Sequence, residues 1–306
     1  MKLKKIFCNL PKYFNISFLQ SKKIQNVFGN DVLFPKLYKD RPYTIASFVI
    51  SIDGKITYQD DKRGNLIANN NFLDKKGAEL DFFIMNMLRS FSDAIIIGSG
   101  TINHNPNFLG GIYYEELIID RLNSSKSKYP INIIPTLTGK SLPYNHKIFL
   151  NLTIPLIILT THKAIKYICN NLPINSSYVI NKYSSYEDLQ RYKQEIIDNY
   201  NSNKHKIIIL SFSNSHINNQ LVMLFLKIIN INIVSIEASN YFHSLVRDNL
   251  VDEIFLNISS VYLGGLNGGI AELEKPFDSK NHPHLKILEI YIHKNNFLYT
   301  RQKFNN

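Results

Sequence analysis

The sequence has no tryptophan and only two cysteines, Cys8 and Cys169, among its 306 residues. Two cysteines exclude a disulfide framework and a thiolate metal cluster, and their scarcity favours a cytoplasmic compartment. No apolar run reaches the roughly 18 residues that a membrane-spanning helix needs. The N-terminal stretch MKLKKIFCNLPKYF is basic but has only a broken apolar segment, so it is a poor signal peptide.

Several catalytic motifs are also missing. The patterns H-E-x-x-H and G-x-S-x-G do not occur, nor does H-x-E paired with P-C-x-x-C, which excludes common zinc protease, serine hydrolase and zinc deaminase sites. The nine histidines show no metal-ligand spacing. We therefore predict no metal.

The chain is rich in apolar residues, at 44% of the sequence, and this supports a substantial core. Its net charge of +11 fits nucleic acid, a phosphorylated small molecule, or an AT-biased coding sequence that enriches Asn, Ile and Lys. The lysines are scattered, without a dense basic run or interleaved aromatic residues. This favours a small anionic metabolite over nucleic acid.

Short aliphatic runs alternate with helical patterns along most of the chain, which predicts an α/β sheet. Strands are predicted at 43–52, 94–98, 131–134, 155–159, 178–180, 206–210 and 232–236. Helices are predicted from Asn71 or Asp74 to Phe91, at 186–198, at 218–229 and from Asn240. The runs 253–258, 285–292 and 297–301 have little helix between them and predict an antiparallel C-terminal edge.

The N-terminal residues 1–40 show no sustained period, so we expect an N-terminal extension followed by a single domain over 41–306. Residues 110–130 are predicted to be an irregular surface excursion.

The stretch DAIIIGSGTINHNP, residues 93–106, is the first candidate site. A predicted strand runs into Gly98, Gly100 and Thr101, but Asn103 stands where the dinucleotide pattern G-x-G-x-x-G needs its third glycine. The turn can present backbone N–H groups to a phosphate at the carboxyl end of the sheet, or it can serve only as the exit from a buried strand. The local sequence leaves both interpretations open.

Two other strand ends carry polar groups. In SFVISIDGKI, Asp53 and Lys55 can grip a polar substrate, or form an ordinary turn with a solvated lysine. In IVSIEASN, Glu237 precedes Ala238-Ser239-Asn240, which opens a helix whose N-terminus favours an anion. Glu237 is then either an acceptor for a hydroxyl group or incidental.

Three segments occur in a recognisable order: RPYTIASFVISIDGKIT, DAIIIGSGTINHNP and LVDEIFLNISSVYLGG. Together they resemble the reductase domain of the bifunctional riboflavin-biosynthesis deaminase/reductase. The segment YPINIIPTLTGKSLPYNHKIF also resembles that family's middle strand, and the resemblance covers residues 36–270. It implies a dihydrofolate-reductase-like fold, with a mostly parallel sheet, helices on both faces and an antiparallel C-terminal edge.

The resemblance further implies that NADPH transfers a hydride to C1′ of a phosphoribosylamino-pyrimidine, and that the chain forms a homodimer. The catalytic residues it implies are Asp53, Lys55 and Glu237, with Ser51 and Asn105 at the substrate. Lys163 is implied as a partner of the 2′-phosphate. The full set of implied cofactor-binding residues is Gly98, Gly100, Thr101, Thr160, Thr161, Lys163, Ala238, Ser239 and Asn240.

The chain departs from the family pattern in three places. The family's E-G-G is here Glu237-Ala238-Ser239, and its D-N-P is His104-Asn105-Pro106. No arginine occurs in residues 107–114, where the family holds a substrate phosphate. No deaminase segment precedes the match, so we expect a stand-alone reductase. The alternative is a catalytically degenerate member that binds a nucleotide as a sensor or structural subunit.

Overall fold

The computed structural model describes residues 2–266, 268–271 and 275–305. Its strands form one sheet of 11 strands, in the order β1-β10-β11-β9-β2-β8-β3-β4-β5-β7-β6. The strands are β1 (Lys4–Cys8), β2 (Tyr43–Ser51), β3 (Ala94–Ile96), β4 (Ile131–Pro135), β5 (Leu156–Leu159), β6 (Ser177–Ile180), β7 (Ile207–Leu210), β8 (Ile233–Ile236), β9 (Glu253–Ser259), β10 (Leu285–His293) and β11 (Phe297–Phe304).

Helices of very different length connect these strands. They are α1 (Lys22–Phe28), α2 (Leu66–Asn69), α3 (Lys75–Phe91), α4 (Ser99–His104), α5 (Glu115–Asn123), α6 (Lys147–Leu150), α7 (His162–Asn171), α8 (Tyr186–Arg191), α9 (Lys193–Asn203), α10 (Asn219–Ile228) and α11 (Ser239–Arg247). None of the helices in the described ranges is both long and apolar enough to cross a bilayer.

The sheet is parallel from β9 through β2 and β8 to β6, and antiparallel where β9, β11, β10 and β1 pair in turn. Strands β8 and β9 pair with the two edges of β2, and helices cover both of its faces, which explains why both faces are apolar. Tyr43 and Ile45 pack on the face covered by α1, α3 and α5, while Ala46 and Phe48 join the core on the side of α8 to α11. The predicted fold class is confirmed.

The long helix α3 begins and ends as its sequence predicts. The carboxylate of Asp74 accepts a hydrogen bond from the Gly77 N–H at 3.0 Å and caps the first turn. Leu80, Ile84 and Leu88 are buried in the core beneath the helix. Asp81, Met85 and Arg89 follow at four-residue intervals, so they share a second stripe on the same helix.

Two segments have more structure than their sequences predict. Strand β1 pairs antiparallel with β10, and Phe34 is completely buried, so residues 2–40 contribute to the sheet and its core. The prediction that residues 110–130 are irregular is wrong for α5. Arg121 fixes this helix by donating hydrogen bonds to the backbone carbonyls of Ser90 and Ser92, contacts that no local pattern reveals.

Candidate active site

A cavity of about 1410 Å³ opens at the carboxyl ends of β3, β4 and β8. This is the edge at which open α/β sheets bind ligands. The second stripe of α3, with Asp81, Met85 and Arg89, lies in one wall, and the segments that follow β3 and β8 form another. Eight residues predicted from the sequence lie in its wall, namely Gly98, Gly100, Thr101, Asn105, Glu237, Ala238, Ser239 and Asn240.

The glycine turn leads directly into α4, with Gly98 as the N-cap residue at φ −74° and ψ 144°. Neither Gly98 nor Gly100 has a positive φ, so the backbone conformation does not demand glycine. The missing side chain of Gly98 leaves space between this turn and the start of α11. A Cβ placed on Gly98 would lie 3.6 Å from Cα and Cβ of Ala238, which is already in van der Waals range. The turn and the start of α11 therefore approach closely along one wall.

Helix α11 begins at the cavity without a side-chain cap. Ala238 is its N-cap residue and has no group that could accept from the first backbone N–H groups. Ser239, Asn240 and Tyr241 continue the cavity wall. Because a helix N-terminus carries partial positive charge, this wall favours an anion such as a phosphate.

The carboxylate of Glu237 forms a two-point ion pair with Arg89. Arg89 Nε lies 2.7 Å from one carboxylate oxygen and Nη2 lies 2.6 Å from the other, while Nη1 donates to the Gly111 carbonyl at 2.9 Å. The Arg89 side chain is 1% exposed and that of Glu237 is 12% exposed. Burial opposes the charge of Arg89, but Glu237 outweighs it and raises the guanidinium pKa. The Arg89 guanidinium thus stays charged, and the Glu237 oxygens retain lone pairs for a further donor.

The residues of the SIDGK segment lie outside the cavity wall of the described chain. Ser51 Oγ donates to Asp53 at 2.6 Å and accepts from the Lys55 N–H at 2.9 Å. The Asp53 carboxylate also accepts from the N–H groups of Leu263 and Gly264, and the hydrogen bond from Ser51 leads these in lowering its pKa. These hydrogen bonds hold the turn after β2 against the loop after β9. The catalytic roles of Asp53 and Lys55 and the substrate contact of Ser51 stay predictions.

The segment after β5, with Thr160, Thr161 and Lys163, does not line the cavity of the described chain either. Thr161 Oγ1 donates to the carbonyl of Leu137, a wall residue, at 2.9 Å. Thr160 is buried, and its hydroxyl has no hydrogen-bond partner within the described residues. Lys163 is exposed in the first turn of α7. Asn105, at the end of α4, faces the cavity and donates to the Thr101 carbonyl at 2.7 Å.

Sequence reasoning missed Arg89 and Asp81, both on the cavity stripe of α3. The Asp81 carboxylate accepts a hydrogen bond of 2.7 Å from Asn257 Nδ2 on β9. Burial raises the pKa of Asp81 to about 6, and the Asn257 hydrogen bond only partly opposes this. The signal in the sequence is the spacing of two charged residues among the apolar positions of a long helix, which predicts a polar stripe but not what it faces.

Comparison with known protein families places the chain. The family model for the RibD C-terminal domain matches residues 42–299, which is most of the sequence. The chain belongs to the RibD C-terminal domain family. A search of curated protein sequences finds no match.

Solved structures related to the RibD family share the fold at low sequence identity. A pyrimidine reductase-like protein from Corynebacterium diphtheriae is 15% identical with a TM-score of 0.60, and the match covers 87% of this chain and 93% of that one. A riboflavin biosynthesis reductase from Saccharomyces cerevisiae is 13% identical with a TM-score of 0.52, covering 89% and 93%.

A third similar structure, a diaminohydroxyphosphoribosylaminopyrimidine deaminase/5-amino-6-(5-phosphoribosylamino)uracil reductase from Thermotoga maritima, is 15% identical with a TM-score of 0.55. The match covers 87% of this chain but only 57% of that one. The resemblance read from the sequence motifs is therefore confirmed, and a reductase role is supported.

Proposed function

We propose that this chain is an NADPH-dependent reductase of the riboflavin-biosynthesis type. Its substrate would be a phosphoribosylamino-pyrimidine, reduced at C1′, or a related pyrimidine or pterin metabolite. The observation that carries the proposal is that one cavity joins the glycine turn, the uncapped start of α11 and the Arg89–Glu237 pair. Single-ligand pockets are typically about 300–1,000 Å³. At about 1410 Å³ this cavity has room for a dinucleotide and a substrate together.

The residues present fit the cofactor. The N-terminus of α11 would hold its phosphates, and the close approach of Gly98 to Ala238 would keep that wall free of bulky side chains. Thr160, Thr161 and Lys163 would serve the adenosine half. When bound, NADPH supplies the hydride, and the protein supplies position and charge.

Of the three implied catalytic residues, Glu237 lies in the cavity wall, where Arg89 holds it. Glu237, held by Arg89, would accept hydrogen bonds from ribose hydroxyls and so orient the sugar. Asp53 and Lys55 would act from the SIDGK turn at the sheet edge, which lies outside the cavity wall of the described chain. We further propose a cytoplasmic homodimer that acts on small molecules and not on nucleic acid.

The second candidate function is a nucleotide-binding sensor or structural subunit without turnover. It is favoured by Ala238 and Ser239, which replace the two glycines of the family motif. The Ala238 methyl group occupies part of the space beside Gly98 into which a cofactor would have to fit.

Thermal unfolding with NADPH and with NADH tests both candidates. A ligand present at 100 times its dissociation constant should add about 2.7 kcal/mol to the free energy of unfolding. The nicotinamide absorbance is then followed with phosphoribosylamino-pyrimidine substrates. Stabilisation followed by oxidation of NADPH supports the reductase, whereas stabilisation without turnover supports the sensor. Absence of any shift with either nucleotide contradicts both.

A further inference from the structure

A second cavity, which we call the N-terminal groove, lies at the amino ends of β2 and β9. Its volume is about 610 Å³, within the range of about 300–1,000 Å³ that is typical of single-ligand pockets. Lys36 and Tyr38 line it just before β2 begins, and Lys303, also in its wall, pairs with Glu253, the first residue of β9. Strand β2 has nine residues and spans about 30 Å, and the candidate active site lies at the other end of the parallel strands. The two cavities share no lining residue of the described chain.

The walls of the N-terminal groove are held together by a backbone bridge over a packed core. The N–H of Ile16 donates to the Phe34 carbonyl at 3.0 Å, and the N–H of Phe34 donates to the Ile16 carbonyl at 2.8 Å. Phe14 and Phe34 are buried, and the guanidinium of Arg301 lies 5.3 and 5.2 Å from the centres of their rings. The groove is therefore preformed, which lowers the entropic cost of binding a ligand.

Positive charge without a counterion faces this groove. Lys36 and Lys303 line it, and neither forms an ion pair with a carboxylate of the described chain. The Lys303 ammonium group lies 6.0 Å from the centre of the Phe14 ring, which places it beside the N-terminal wall. No acidic side chain from residues 2–266, 268–271 or 275–305 lines the groove. Its charge therefore complements an anion.

Two tyrosine rings give the same groove an aromatic surface. Tyr13 is 54% exposed and Tyr38 is 36% exposed. The hydroxyl of Tyr38 donates to Asp252 at 2.9 Å, and the guanidinium of Arg41, which pairs with Asp252 at 2.7 Å, lies 3.9 Å from the centre of the Tyr38 ring. Burial, followed by the nearby Asp252, raises the pKa of Tyr38 to about 12. The phenol is therefore neutral at physiological pH and does not repel an anion.

We propose that the N-terminal groove is a second ligand site, which binds a planar heterocycle carrying a phosphate group, the chemistry of a mononucleotide. The tyrosine rings would contact the base, since aromatic side chains stack on bases, and the two lysines would bind the phosphate. Asn15 also lines the groove, and its amide forms no hydrogen bond with the described residues. An amide offers one donor and one acceptor side by side, which matches the edge of an adenine.

The test uses AMP, adenosine and ribose 5-phosphate, which separate the contribution of the base from that of the phosphate. Isothermal titration calorimetry of the full chain at pH 7.5 measures their dissociation constants. We expect AMP to bind about tenfold more tightly than either fragment. The double variant Lys36→Gln with Lys303→Gln should weaken AMP binding about tenfold and leave adenosine binding unchanged. Tyr13→Leu should weaken the binding of AMP and adenosine but not that of ribose 5-phosphate.

Two control variants distinguish this groove from other places where AMP could bind. Lys39→Gln removes an exposed lysine that is close in sequence but does not line the groove, so AMP binding should not change. Gly98→Val narrows the active-site cavity and should also leave AMP binding unchanged. If Gly98→Val abolishes AMP binding while the double lysine variant retains it, AMP occupies the active-site cavity and the proposal is overturned.

AMP that fails to bind, or that binds no more tightly than ribose 5-phosphate, would likewise overturn the proposal. The other occupant to test for is a second copy of this chain. Sedimentation velocity compares the wild type with Tyr13→Glu, which places a negative charge in the groove. A dimer that Tyr13→Glu dissociates, in a protein that does not bind AMP, would assign the groove to self-association instead.

Discussion

Two carboxylates that line the cavity, those of Glu237 and Asp81, are held in opposite ways. Both oxygens of Glu237 are bound by Arg89, at 2.6 and 2.7 Å, whereas Asp81 receives one neutral amide hydrogen bond from Asn257. Burial of a charge is costly unless a partner compensates it. The charge of Glu237 is therefore compensated by a cation within the fold, whereas Asp81 has no cationic partner among the described residues. Arg89→Met and Asp81→Asn test this contrast, and two further variants test the proposed cofactor contacts.

The largest effect is expected from Arg89→Met. The substitution keeps much of the side-chain volume but leaves the largely buried Glu237 without its cation and the Gly111 carbonyl without its donor. Removing one partner of a buried pair costs about 3–5 kcal/mol, although the partial exposure of Glu237 places this case towards the lower figure. Urea unfolding of wild type and variant gives the difference.

The matched control for Arg89→Met is the double variant Arg89→Met with Glu237→Gln, which removes both charges. It should lose less stability than Arg89→Met alone, because no unpaired carboxylate remains. If the double variant is the less stable of the two, Glu237 is not an uncompensated charge in the single variant.

The next effect is expected from Asp81→Asn, and it depends on pH. Since the pKa of Asp81 is about 6 in the folded chain and 3.8 in its reference state, the folded chain binds more protons between these values. The wild type therefore loses stability as pH rises from about 4 to 6. The neutral variant avoids this loss and should be more stable by up to about 2–3 kcal/mol at pH 7, but not at pH 3.5.

Chemical unfolding of both proteins at pH 3.5, 5 and 7 measures this dependence. A gain that is equal at all three pH values, or a loss at pH 7, would mean that the Asp81 carboxylate is not penalised by burial. Glu79→Gln, which removes an exposed carboxylate from the same helix, is the control, and its difference from wild type should show no such trend.

The third effect concerns cofactor affinity. Gly98→Val should weaken NADPH binding at least tenfold, about 1.4 kcal/mol, because its methyl groups would enter the space beside Ala238. The φ of −74° at this position suits any residue, so the fold should persist. His104→Ala, exposed on the same helix, is the control. Isothermal titration calorimetry measures the dissociation constant of NADPH for each variant. Equal constants for Gly98→Val and His104→Ala would contradict the proposed phosphate wall.

The smallest effect is expected from Lys163→Ala. If this exposed lysine pairs with the 2′-phosphate, its loss should reduce the preference for NADPH over NADH by up to about fivefold, because an exposed ion pair contributes at most about 1 kcal/mol. Lys166→Ala, exposed one turn further along α7, should leave the preference unchanged. Equal ratios in all three proteins would exclude Lys163 from cofactor selection.

The elements predicted with most success are those whose signals are local. The apolar pattern on both sides of 43–52 predicts a central strand, and β2 has a neighbour on each side. Asp74 and the apolar spacing behind it predict α3. The pattern fails for α5 and β1, because Arg121 and the β10 edge hold these segments by contacts with remote parts of the chain.

The sequence by itself determined the α/β order of the elements, the family, and the glycine turn and Glu237 at strand ends on one edge of the sheet. Only the tertiary structure decided the partners of the site. Arg89 and Glu237 are 148 residues apart, and Asp81 and Asn257 are 176 residues apart. A local pattern states which residues share a helix face or strand face. Which remote face they meet depends on the strand order of the sheet and on how α3 packs across it.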